Sequence, residues 1–122
     1  MRMLEMHIGV KDINKSVEFY SQLLPHTKII DDDERKQVFI VLADGSAFGI
    51  WENGYRGMFD GLPARHLHFA FQIAVDEYDL FKKKLKKLSV DIIEHTWRDG
   101  HKSLYFFDDD AHQGEFMTKD WS

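Results

Sequence analysis

The chain has 122 residues, 43% hydrophobic and 30% charged, a length and balance that suit one folded domain. Its net charge of -5 argues against general nucleic-acid binding, and the absence of cysteine excludes disulfides, thiolate zinc sites, iron–sulfur clusters and cysteine nucleophiles. Arg2 and Glu5 interrupt the apolar N-terminus, so it does not read as a signal peptide, and no apolar run reaches membrane-spanning length. A cytoplasmic protein with neither membrane nor nucleic-acid partners is expected.

Residues 3–10 read as a strand, with Glu5 and His7 on one face and Leu4, Met6 and Ile8 on the other. Asp12 then caps a helix over 13–24, whose apolar positions are Ile13, Val17, Tyr20 and Leu24, and Pro25 ends it. Strands over 27–31 and 36–42 flank an acidic turn, and after the turn 43–45 a fourth strand covers 46–52. Residues 53–63 mix Gly54, Gly57 and Gly61 with Tyr55, Met58 and Phe59, which suits either a linker or a lid over a pocket.

The pattern then starts again. Residues 66–73 form a strand, and Asp76 caps a helix to about Leu88 with Tyr78, Phe81, Leu85 and Leu88 on its buried side. The Lys-rich run 82–87 belongs to the outer, solvated face of that helix. Three more strands follow over 91–95, 102–107 and 112–117. The two halves superpose in sequence: residues 5–10 fall over 68–73, and 38–49 over 104–115. Each half is strand, helix and three strands, and repetition implies that neither half buries its apolar face alone. The expected fold class is α+β: one domain over 1–122, with repeat one over 3–54, a linker over 53–64 and repeat two over 65–121.

Three signatures carry a resemblance. They are Val10-Lys-Asp12 followed by Ser16-Val-Glu-Phe-Tyr20, then His68-Phe-Ala-Phe71, then the run from Ser103 through Gln113-Gly-Glu115-Phe116. In this order and spacing they resemble the vicinal oxygen chelate superfamily, which includes glyoxalase I, fosfomycin-resistance proteins, extradiol dioxygenases and bleomycin-resistance proteins. The resemblance implies two βαβββ repeats curled into an open, barrel-like sheet, with a metal inside and a homodimeric assembly. It places the metal ligands at Glu5, His68 and Glu115, the first departing from the His or Gln more usual there.

A carboxylate–imidazole–carboxylate set suits a divalent ion such as Mn, Fe, Ni or Zn, and leaves open positions for a substrate chelating through two oxygens. His7 shares the face of Glu5 and is the alternative first-strand ligand. Strand alternation adds His7, Trp51, His66, Ser103 and Tyr105 as substrate-binding residues. The expected activity is therefore metal-dependent lyase, isomerase, transferase or oxygenase chemistry on a small oxygen-rich molecule. The alternative is a metal-free module that sequesters an antibiotic-type ligand, favoured by the 14% of aromatic residues and the acidic charge. Ser103 and Tyr105 match a fosfomycin-type Ser-x-Tyr-Phe stretch, but Asp99 stands where a Lys is expected, and the downstream basic residue has no equivalent. Gly49 occupies the place of a fourth, glyoxalase-type ligand, which disfavours a four-ligand site. Extradiol dioxygenases are typically longer chains.

Overall fold

The structure, a computed structural model, describes residues 3–32, 37–52 and 68–120. The expected linker or lid and His66 lie outside the described residues. The chain divides into two compact units, Met1–Pro63 and Ala64–Ser122. Each is a βαβββ unit, and the fold is α+β.

In the first unit β1 (Glu5–Val10) leads into α1 (Ile13–Leu23), followed by β2 (Lys28–Asp32), β3 (Gln37–Val41) and β4 (Ala47–Glu52). The α1 cap is the expected one: the Asp12 carboxylate accepts the Lys15 backbone N–H at 3.1 Å. Leu24, just before Pro25, has already turned extended. The sheet order is β1-β4-β3-β2, with β1 parallel to β4 and the other pairs antiparallel. Parallel neighbours cannot be joined by a tight turn, so the chain crosses over through α1, which packs on β3 and β4. The buried stripe of α1 is Ser16, Phe19, Tyr20 and Leu23. Phe19 sits deeper than the expected Ile13 and Val17, which remain half-buried, because it meets the Tyr20 ring edge-on at 4.9 Å. Ile8, Val10, Val38, Ile40, Phe48 and Ile50 complete this core, each worth roughly 1.5–3 kcal/mol of transfer free energy when fully buried.

The second unit repeats the plan. It comprises β5 (His68–Gln72), α2 (Tyr78–Lys87), β6 (Ile92–Thr96), β7 (Lys102–Phe107) and β8 (Gln113–Met117), in sheet order β5-β8-β7-β6 with β5 parallel to β8. Asp76 does not cap α2. It lies inside a 3₁₀ turn, Val75–Glu77, and the Glu77 carboxylate closes that turn by accepting the Ala74 backbone N–H at 2.9 Å. Tyr78, Phe81 and Leu85 of α2 are buried. Phe81 stacks on Phe116 at 4.4 Å, and Phe116 stacks on Phe106 at 5.5 Å. Tyr78 donates its hydroxyl to Glu94 at 2.9 Å while Lys82 holds the same carboxylate at 3.0 Å, tying α2 to β6. Burial first, and then Glu94, push the Tyr78 hydroxyl up to about 12.

Gly114 is where backbone and ring approach most closely. A Cβ there would lie 2.7 Å from Cε2 of Phe106 and nearer still to its Cζ. Gly114→Ala is therefore expected to lower stability by about 1–3 kcal/mol, as overpacked cores do, read as a reduced urea midpoint at unchanged slope.

Candidate metal centre

Alternation sorts each sheet into a helix-covered face and a second face. In the second unit Phe69, Phe106 and Phe116 are buried toward α2, so His68 and Ala70 of β5, Glu115 of β8, and Ser103 and Tyr105 of β7 share the other face. Registers bring these residues side by side: Ala70 is the cross-strand partner of Glu115 on one flank, and Tyr105 on the other. The Nε2 of His68 comes within 3.8 Å of Oε2 of Glu115, with the His68 side chain 43% exposed and that of Glu115 only 6%. A carboxylate so removed from water carries a desolvation cost of several kcal/mol, which a cation would offset. One imidazole nitrogen and one buried carboxylate are suitable donors for a borderline divalent ion.

Ser103 is fully buried, and its Oγ accepts the indole N–H of Trp97 at 2.9 Å. Trp97 itself stacks on His101 at 5.6 Å. Sequence reasoning missed this bond because Trp97 lies beyond the end of β6, where alternation gives no direction.

In the first unit the corresponding face holds Glu5 and His7 on β1 and Gly49 and Trp51 on β4. His7 is the cross-strand partner of Gly49, and its ring fills the space above that glycine: a Cβ at 49 would lie 2.8 Å from Cε1 of His7. A fourth-strand ligand at this position would force the His7 ring to move, which gives the glycine a physical reason. The Trp51 indole N–H donates to Nδ1 of His7, whose ring also meets Phe39 edge-on at 5.4 Å. On its other side, Nε2 of His7 stands 3.6 Å from Oε1 of Glu5, a side chain 52% exposed. The expected ligand set is thus divided between units, Glu5 in the first and His68 with Glu115 in the second.

Two further polar clusters were not foreseen. The Asp108 carboxylate closes the β7–β8 turn by accepting the backbone N–H groups of Asp110 and His112, each at 2.9 Å, and it also meets Nδ1 of His112 at 2.9 Å. Ligand atoms of Asp108, Asp110 and His112 lie within 4.8 Å of one another, but the Asp108 oxygens are already committed to holding the turn, in which Ala111 adopts a φ of 63°. At the β6–β7 turn, Asp99 binds Lys119 at 2.6 Å and also contacts His101, and these partners hold its carboxyl well below the usual range. The Asp found where a Lys was expected therefore engages the nearby basic residue.

No protein-family model matches the chain. A metallothiol transferase FosB from Lysinibacillus sphaericus is 32% identical over 112 residues, covering 90% of this chain and 77% of the relative. Among solved structures, a mutant of the fosfomycin resistance protein FosX from Listeria monocytogenes, complexed with Mn(II) and 1S,2S-dihydroxypropylphosphonic acid, is 25% identical. It matches with a TM-score of 0.75, over 99% of this chain and 91% of that one. A lactoylglutathione lyase from Agrobacterium tumefaciens, at 17% identity and a TM-score of 0.76 over 95% and 92%, shares the fold.

The turn cluster makes a pH prediction. The Asp108 hydrogen bond raises the His112 pKa above its ordinary value against the opposing effect of burial. A raised folded pKa means that the stabilisation is complete below about pH 6.5 and fades as pH climbs through the folded value. Asp108→Asn keeps an acceptor for the turn and loses the charge, so its deficit in melting temperature relative to wild type should be larger at pH 6 than at pH 9.

Proposed function

Since the chain belongs to the vicinal oxygen chelate superfamily, we propose that it is a divalent-metal-dependent enzyme acting on a small, oxygen-rich molecule that chelates through two oxygens. Glu5, His68 and Glu115 would hold the metal, and Trp51, His66, Ser103 and Tyr105 would bind the substrate beside it. The observation that carries the reading is the approach of His68 to the buried Glu115 carboxylate across the parallel β5–β8 pair. The Mn(II) held by the FosX relative supports it. A metal at these residues would act as a Lewis acid, stabilising negative charge that develops on a substrate oxygen.

The chain's own groups would do the rest. Glu115 supplies a charge shielded from water. Tyr105 sits next to it across the strand and presents a hydroxyl that can orient a substrate oxygen. Ser103 accepts from Trp97 and retains its own O–H to donate. The metal-free sequestering reading has no observation in its favour beyond composition. A homodimer in a cytoplasmic setting is part of the proposal; among the described residues no helix is long and apolar enough to cross a membrane.

The deciding measurement is elemental analysis and metal titration of the purified protein beside His68→Ala and Glu115→Ala. Stoichiometric Mn(II), Fe(II), Ni(II) or Zn(II) is expected in the wild type. Each variant should lose more affinity than the roughly 10–100-fold that loss of a merely supporting partner costs. Failure of the wild type to bind any of these ions would overturn the reading. Light scattering should give twice the mass of the 14.4 kDa chain, and a monomer mass would refute the dimer.

A further inference from the structure

Resting on the metal reading above, we infer that His7 is not a ligand but a positioning residue, held in one tautomer by Trp51 so that it presents an N–H to the Glu5 carboxylate. An indole N–H can only donate, so the Nδ1 atom that Trp51 meets must carry a lone pair rather than a proton. The proton of the neutral ring then sits on Nε2, the atom directed at Oε1 of Glu5 from 3.6 Å. Binding a cation through Nε2 in this arrangement would require the ring to lose its last proton, whereas metal-bound imidazoles donate their other N–H outward. His7 is wired the opposite way.

Glu5 can use such a donor. Half of its side chain is exposed, so its carboxylate is free to turn, and Oε1 stands at 3.6 Å, just beyond hydrogen-bond reach of that N–H. The second oxygen is left to face a metal, as ligating carboxylates commonly are when a neighbour hydrogen-bonds them. The ring itself is well fixed, by Phe39 edge-on, by Trp51, and by the bare Gly49 beneath it.

The repeat supplies an independent argument. His7 pairs with Gly49 at the register position where Ala70 pairs with Glu115 in the second unit. Each unit therefore opposes one large polar side chain to one small residue, with the large one on the first strand in unit one and on the last strand in unit two. His7 occupies space that Gly49 vacates; by the same superposition Glu5, not His7, is the counterpart of His68.

The test is long-range ¹H–¹⁵N spectroscopy of the imidazoles during titration of the full chain with Zn(II), a diamagnetic probe. His7→Gln serves to assign the His7 signals. The expected result is that His7 is the Nε2–H tautomer in the free protein and keeps that pattern with zinc, while His68 acquires a metal-bound nitrogen shift. An Nδ1–H tautomer in the free protein, or a metal-bound shift on His7, overturns the inference and leaves the metal reading standing. Absence of zinc binding overturns the metal reading and the positioning role with it. His7→Gln can accept from Trp51 and donate to Glu5, so it should hold zinc within a few-fold of wild type. His7→Phe, which keeps the ring and loses both groups, should weaken zinc by about 10–100-fold. Equal loss in both variants would overturn the positioning role.

Discussion

In each unit the first strand pairs in parallel with the last, and nearly everything about the candidate site depends on that pairing. A parallel neighbour cannot be reached by a hairpin, so the chain has to leave the sheet and return, and the helix is the first part of that excursion. The helix covers one face and takes the large apolar side chains with it. The two remaining strands extend the sheet on the far side of the last strand. The other face is left to side chains that the helix does not need, and the first-strand and last-strand residues on it become direct neighbours. His68 and Glu115 are 47 positions apart in the chain and meet for this reason alone.

The same scaffold, used twice, has been loaded asymmetrically. The second unit spends its last-strand position on a buried carboxylate and keeps the neighbouring first-strand position small, as Ala70. The first unit leaves its last-strand position bare, as Gly49, and fills the gap with the His7 ring. A second glutamate at 49 would collide with that ring as well as adding like charge beside Glu5. Restricting the acidic last-strand side chain to one unit avoids both costs.

The strands and α1 were legible because alternation, the Asp12 cap and Pro25 are local signals that tertiary packing does not override here. Strand alternation made the faces legible too, whereas the expected ligands Glu5, His68 and Glu115 came from the resemblance; the repeat alone pairs Glu5 with His68 but sets Gly49 against Glu115. What escaped was set by geometry outside regular periods. Asp76 looks like a cap, but the chain enters α2 through a 3₁₀ turn closed by Glu77, and one extra turn displaces the capping position. Trp97, Asp99 and His101 lie on a turn, where side-chain direction follows from local dihedrals that the sequence does not spell out. The depth of Asp108 likewise follows from the turn it closes rather than from any strand pattern.

The Trp97–Ser103 bond bears on what the second face can recognise. A fully buried hydroxyl that has already accepted one hydrogen bond has its proton left over, and leaving that donor unmet would cost about 1–3 kcal/mol. Tyr105, two residues along the same strand, offers a second hydroxyl on this face, so an oxygen acceptor there could meet both. The Glu115 carboxylate beside Tyr105 is negative and would repel an anion unless a cation intervened. Two neutral O–H donors beside a carboxylate make a poor anion site and a reasonable site for a metal-bridged oxygen ligand. On the proposed reading, a cation beside Glu115 would offset the repulsion of that carboxylate and let an oxygen acceptor meet the two hydroxyls.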